Sequence, residues 1–435
     1  MTNKDSLLIK SKDSILKDSA KQKLKGKKGG RLAGKEADSI GISDYKIISY
    51  QRDTTFVDTT LTIKKEYKYN YIREDDFELM PFANMGQPYN ELGKSFSGTP
   101  YYPRIGATAK HPGHFEKEDI NYYNVPTPMT ELMFKTTMEQ GQYLDALLTF
   151  NMNERLNASI AYNGFRSLGK YRYEEAQDGK FRVTLNYVTR NQKYGFRGHI
   201  AAQEMQSEES GGLLERAQFE SDLDDFQDRA KIDLLYEDAN NRILGKRYFF
   251  EQQYKLVNHK KDSIDKAPTT LTLGHEFSYE SKIYDFEQTR QNEAFGQNPF
   301  LTPIEDRARL KTMFNKGAVT FSNRTLGVLS GNVSLYNYNY FFNSILITEE
   351  ETIQNKLKGE EISVGGTYSN TIGPLFLKGN VNYTVSGELT GNNFDALALA
   401  GGFEAAGYYT DAFDERLLTL IRAFDGAGKM IAAIC

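Results

Sequence analysis

Leu375, Leu377, Val381, Tyr383, Val385 and Leu389 fall on one parity of the run Leu375–Leu389, while Lys378, Asn380, Asn382, Thr384, Ser386 and Glu388 fall on the other. A strand turns successive side chains to opposite faces, so this run has one apolar face and one polar face. It exceeds the ~5–6 residues usual in soluble sheets and reaches the ~9–11 that a tilted strand needs to cross a bilayer. The same pattern recurs upstream. Leu156, Ala158, Ile160 and Tyr162 alternate with Asn157, Ser159 and Asn163. Phe181, Val183, Leu185 and Tyr187 alternate with Arg182, Thr184 and Asn186, and after the polar turn Asn191-Gln192-Lys193 the apolar row resumes as Tyr194, Phe196, Ile200 and Ala202. That arrangement predicts a hairpin with one charged face. Further strands are predicted at Leu271–Tyr279, Val328–Phe341 and Ile362–Tyr368.

The connections differ in length. Asn370–Pro374 is a tight turn, whereas Gln206–Arg229 and Gln288–Arg309 read as long acidic loops. Short turns at one end and long loops at the other are the habit of membrane barrels, while a soluble sandwich also alternates. Strand length, turn asymmetry and the lack of helix-period text between residues 140 and 390 favour the barrel. The expected fold is mainly β: an antiparallel transmembrane β-barrel, incomplete, with a disordered basic N-terminus and a short α/β fragment at the C-terminus. The boundaries fall at 1–45 for the Lys/Ser-rich leader, 46–392 for the barrel with an N-terminal segment reaching about residue 135, and 393–435 for the tail.

Composition agrees with that fold. A mean hydropathy of -0.59 leaves no room for apolar helical spans, but a barrel with a wet lumen is compatible with it. There are 28 Tyr and 27 Phe but no Trp, so any interfacial girdle is built from Tyr and Phe. The net charge of -4 gives no drive toward nucleic acid, and the Lys-rich leader lacks the interleaved aromatics of single-strand binders. Residues 1–30 contain no apolar core of a signal peptide; an exported chain would have its start lost or processed. The single Cys, Cys435, allows neither an internal disulfide nor a Cys-based metal site.

Few residues point to chemistry. His111-Pro-Gly-His114 has the spacing of a metal pair, but Pro and Gly exclude a helix and no third ligand is evident, so a polar loop is expected. The acidic run from Glu215 to Asp228 lacks a calcium-loop pattern and reads as solvated. No metal and no cofactor are expected. On the polar parity of amphipathic strands lie Arg182, Arg197, His199, Lys231, Lys255, Lys378, Asn380 and Asn382, which in a closed barrel line the lumen and set its field. Tyr336, Tyr338 and Tyr340, interleaved with Asn337 and Asn339, and Tyr383 are the candidates for an aromatic girdle.

DTTFVDTTLTIKKEYKYNYIREDDFELMPFANMGQPYN (Asp53–Asn90), NYYNVPTPMTELMFKTTMEQGQ (Asn121–Gln142) and FRSLGKY (Phe165–Tyr171) closely resemble the putative porin family of Bacteroidetes outer membranes, over about residues 45–390. The resemblance implies an outer-membrane barrel without enzymatic activity, passing small solutes or ions by passive diffusion, with outer-membrane lipid and small solutes as its partners. A structural, plugged barrel of an envelope complex is the alternative. The family's strands continue past the point where this chain changes text.

The tail reads FDALALAGGFE, then ERLLTLIRAFDGAGK, then KMIAAIC: a buried strand, an amphipathic helix and a second buried strand. It resembles a fragment of a PfpI-type cysteine hydrolase of the class I glutamine-amidotransferase-like group. By that resemblance Cys435 stands at the nucleophile position and Gly402 at an oxyanion position. Both are vestigial, because no residue follows Cys435 to complete the oxyanion hole, and the fragment is expected to be inactive.

Overall fold

In the computed structural model, the described residues are 40–58, 79–93, 104–137, 140–259, 269–290, 304–348, 351–372, 375–386, 396–400, 421–422 and 430–434. The chain divides into a unit Met1–Gly41 and a unit Ile42–Cys435, and the structure below is that of the second. Residues 1–39 of the leader lie outside the described residues, as do Gly402 and Cys435.

The N-terminal segment holds five short strands: β1 (Lys46–Ile48), β2 (Thr54–Phe56), β3 (Leu79–Pro81), β4 (Tyr89–Glu91) and β5 (Tyr122–Asn124). Strands β2, β1 and β5 form one small antiparallel sheet, and β3 pairs with β4. After them come β6 (Met129–Thr137), β7 (Gly141–Asn153), β8 (Leu156–Ser167), β9 (Ala176–Val188), β10 (Tyr194–Glu209), β11 (Ala239–His259), β12 (Thr269–Gln288), β13 (Ile304–Asn323), β14 (Gly327–Thr348), β15 (Glu351–Ile372) and β16 (Leu375–Ser386). These eleven strands form one antiparallel sheet in sequence order, each hydrogen-bonded to the next. The up-and-down order is that of a membrane barrel. Among the described residues the sheet ends on β6 and β16 without closing, so the barrel is incomplete. Strands of 20–22 residues in β12 to β15 are far longer than soluble sheets require.

Two of the long loops are shorter than the sequence predicts. Strand β10 continues to Glu209 and β13 starts at Ile304, because the alternation runs on through charged residues at those ends. The connection from β10 to β11 carries two short helices, Arg216–Glu220 and Asp224–Gln227. Lys231, expected on a strand, lies in the 3-10 turn Arg229–Lys231 of that connection and pairs with Asp225 at 3.2 Å. In the tail, β17 (Ala396–Ala400) pairs in parallel with β18 (Met430–Ile434).

Parity within the large sheet is inverted relative to a soluble protein. Fully or nearly buried positions include Thr149, Asn157, Ser159, Asn163, Thr184, Arg197, His199, Gln203, Ser207, Asn241 and Arg247, all polar. Exposed positions include Leu148, Ile160, Tyr162, Phe181, Leu185, Ile200, Tyr248, Val333 and Val364. Register joins the exposed set into one surface: Ile160 lies opposite Val183, which lies opposite Ile200, which lies opposite Tyr248 and then Tyr279. We call this the outer face and the buried polar one the inner face. An apolar face joined across neighbouring strands, backed by a polar inner face, is the arrangement of a membrane barrel.

The outer face has a sharp edge. Moving toward the long-loop end, it changes from Tyr162 to Arg166 on β8, from Phe181 to Gln177 on β9 and from Ala202 to Glu204 on β10. The same change runs from Tyr248 to Lys246, Tyr279 to Ser281 and Met313 to Lys311 on β11 to β13. Because Tyr248, Tyr279 and Met313 are paired in register, the edge continues across those strands. Tyr248 and Tyr279 sit with ring centroids 6.4 Å apart at that edge. Toward the short-turn end, Tyr187 and Phe196 form a second aromatic contact at 5.5 Å.

Candidate functional site on the inner face of the sheet

Buried polar side chains need partners, and on the inner face the N-terminal segment supplies them. Arg197 on β10 carries the densest set. Its guanidinium pairs with Glu251 on β11, donates to the Ser49 carbonyl at 2.6 Å and to the Tyr50 carbonyl, and lies over the Tyr122 ring at 4.9 Å. Arg52 of the segment reaches the same Glu251 at 2.9 Å. His199, two residues along the same face, shares a hydrogen bond at Nδ1 with the Tyr122 hydroxyl at 2.8 Å and stacks on Phe249 at 4.8 Å.

Farther across the sheet, Arg247 donates to the Phe115 carbonyl at 2.9 Å and pairs with Glu116 at 3.0 Å and Glu280 at 2.6 Å. Lys282 pairs with Glu116 at 2.6 Å, and Lys117 of the segment pairs with Glu276 at 2.6 Å. The Tyr50 hydroxyl donates to that Glu276 at 2.8 Å. Lys110 is buried and donates to Ser207 and Asn241. At the loop end, Asn84 donates to the carbonyls of Ser167 at 3.2 Å and Glu174 at 2.6 Å. Toward β13 and β14 the contacts become apolar: Ile105 packs with Ala308, Leu310 and Tyr338.

Burial shifts the segment's own groups. It raises the Tyr50 and Tyr122 hydroxyls well above the usual phenol range and pushes Lys110 down to about 8. It also lowers His114. Burial opposes ionisation of Glu116, but the hydrogen bond from His114 and the charges of Lys282 and Arg247 hold that carboxyl well below the usual range.

The polar-loop expectation for His111–His114 needs correction. His114 is buried under the sheet, because Gly245 on β11 leaves room for its imidazole where any Cβ would collide with Nε2. Its Nδ1 lies 3.3 Å from Glu116, and Gln203 approaches Nε2 at 3.3 Å. His114, Glu116 and Glu280 therefore converge as three ligand-type side chains. Arg247 and Lys282 already neutralise both carboxylates, so the cluster fits a buried ion network better than a cation site.

The other candidates divide by parity. Arg182, Arg197 and His199 stand on the inner face, with Arg182 over the Phe115 ring at 5.2 Å. Lys255 takes the same parity on β11. Lys378, Asn380 and Asn382 take the inner parity on β16, opposite Ser369, Thr367 and Gly365, and are exposed. Tyr383 is on the outer face, opposite Val364. The structure places Tyr336, Tyr338 and Tyr340 differently from the girdle expectation. The pairing of Leu335 with Ile362 turns Leu335 outward and these three tyrosines inward, where they pack around Ile105. The outer-face aromatics at the edges are Tyr162, Phe181, Tyr248 and Tyr279 instead.

Sequence reasoning missed the segment's role altogether. Its strands are three residues long and show no periodicity; the only available signal was the excess of charge on the sheet's polar parity. Beside the segment a cavity of about 340 Å³ remains, lined by Arg104, Glu116, Glu280, Lys282 and Tyr336 among others.

An antiparallel up-and-down sheet with an apolar outer face and a charged, covered inner face defines a membrane-barrel protein. A family model described as Putative porin matches residues 41–404, most of the chain, and the protein belongs to that family. No curated protein and no solved structure matches it. The cysteine-hydrolase resemblance of the tail finds no support in these comparisons.

Proposed function

We propose that the protein is an outer-membrane barrel of the porin family whose polar inner face forms a passage for small solutes or ions, closed or narrowed by the described residues of the segment, 42–58, 79–93 and 104–125. One observation carries this reading: groups of that segment meet several of the inner-face charges that would line a channel. Arg197, Arg247 and Lys282 stand among the acids Glu251, Glu276 and Glu280, and Ser49, Tyr50, Phe115 and Glu116 sit against the cations. Passage is passive, since lining charges steer ions without chemistry, and no catalytic role is assigned. Lipid is the partner of the outer face.

The filled inner face also favours a second reading, a plugged structural barrel. Planar-bilayer recording of the full chain separates the two. The gated passage predicts small or rare steps from the wild type and larger, more frequent steps from Arg197→Ala/Arg247→Ala. Silence from both proteins, with insertion confirmed by the heat-dependent gel shift, would leave the structural barrel.

A further inference from the structure

A groove of about 1090 Å³ lies on the outer face of the large sheet, not beside the segment. Its floor is apolar, from Leu144, Tyr162, Phe181, Leu244 and Ile283. Each lies on the outer parity, in two cross-strand rows: Leu144, Leu244 and Ile283 share the row of Gly164, Gly179 and Glu204, while Tyr162 and Phe181 share the next row toward the belt with Ala202, Lys246 and Ser281. Gly164 leaves room for the Tyr162 ring, which a Cβ at that position would strike.

The groove straddles the edge of the apolar belt, and its polar rim is mainly basic. Lys246 and Lys311 flank Ser281 on the two neighbouring strands, which puts their backbones about 10 Å apart. Arg309 follows Lys311 on the same face, opposite Ile283. Arg309 Nε is buried with no hydrogen-bond partner, and neither lysine has an ion-pair partner among the described residues. The remaining rim charges are already engaged: Arg166 pairs with Glu175 at 2.8 Å, and Glu204 lies 3.7 Å from Arg242. Three cations are thus left at the edge of the belt, with Tyr248, Tyr279 and Met313 next along the same face on the belt side of Lys246, Ser281 and Lys311.

We infer that the basic edge of this groove binds a lipid with an anionic, phosphate-bearing headgroup, its phosphate among Lys246, Arg309 and Lys311 and its acyl chains on the belt beside them, over Tyr248, Tyr279 and Met313. A soluble anion has no use for the apolar belt, and a zwitterionic lipid leaves the three charges unmatched. The site lies toward the long-loop end, where β8–β9, β10–β11 and β12–β13 are joined, so the leaflet is the one facing outward from the cell. The inference rests on the membrane-barrel reading of the outer face.

Native mass spectrometry of the detergent-purified full chain tests it, with equimolar phosphatidylglycerol and phosphatidylcholine as probes and the heat-dependent gel shift as the check on folding. The wild type should retain phosphatidylglycerol preferentially. Lys246→Gln, Arg309→Gln and Lys311→Gln should each reduce that preference by about fivefold, the ratio expected for one basic side chain near an anionic lipid surface. Equal retention of the two lipids by a gel-shifting wild type would overturn the site while leaving the barrel intact. A full preference in a gel-shifting triple variant would overturn it as well. A wild type without gel shift would count against the barrel itself.

Discussion

The Tyr122 hydroxyl of the N-terminal segment is hydrogen-bonded to His199 Nδ1 on β10 at 2.8 Å, and the Tyr122 side chain is completely buried at that contact. One hydrogen bond thus ties a three-residue strand of the segment to the middle of the barrel sheet. Tyr122→Phe keeps the ring and removes the hydroxyl, leaving His199 Nδ1 buried without that partner. The expected loss is about 1–3 kcal/mol in docking of the segment. Hydrogen exchange of the amides of residues 114–125 should accelerate, while exchange within β8 to β10 stays slow.

Arg197→Ala should be more damaging. It removes contacts to two backbone carbonyls and leaves Arg52 as the one ion-pair partner of Glu251 among the described residues. Stripping one partner from a buried ion pair costs about 3–5 kcal/mol, and the lower end applies because Arg52 remains. Limited proteolysis should cut between residues 42 and 58 in the variant at protease levels that spare the wild type. Equal resistance would mean that the segment is held elsewhere.

Glu174 provides a test by pH. Burial is the main cause that pushes its carboxyl from 4.5 up to about 7, and its Oε2 has no hydrogen-bond partner among the described residues. A carboxyl with a raised folded pKa favours the folded state at low pH. Its contribution is complete below about pH 4.5 and is lost as the pH rises through about 7. Thermal unfolding followed between those pH values should show a decline for the wild type that Glu174→Gln flattens.

Substitutions on the two faces of β9 should part company. Val183→Arg puts a charge in the apolar belt and should cost about 2–4 kcal/mol of membrane insertion. Thr184→Val, one residue along, faces the inner side and removes the partner of Ser159, found at 2.6 Å, at a cost of about 1 kcal/mol. Insertion into liposomes, scored by the gel shift, should fail for the first and survive the second.

The barrel strands were legible because period-two alternation survives inversion: Leu156–Tyr162 and the hairpin through Asn191 have the predicted faces, and Arg182, Arg197 and His199 lie where the polar parity puts them. Tyr336–Tyr340 was not legible, since Tyr and Asn both suit either face and only the pairing of β14 with β13 and β15 chooses. His114 was hidden for another reason. Its burial depends on Gly245, more than a hundred residues away, and no local pattern carries that contact.

The central claim is that the apolar parity of the sheet faces lipid while the polar parity faces the N-terminal segment. Spin labels on single cysteines replacing Phe181, Arg182, Val183, Thr184 and Leu185, in a Cys435→Ser background reconstituted into bilayers, measure it directly. Collisions with oxygen should be high at 181, 183 and 185 and low at 182 and 184, in strict alternation. Uniform accessibility, or the opposite phase with 182 and 184 in lipid, would contradict it.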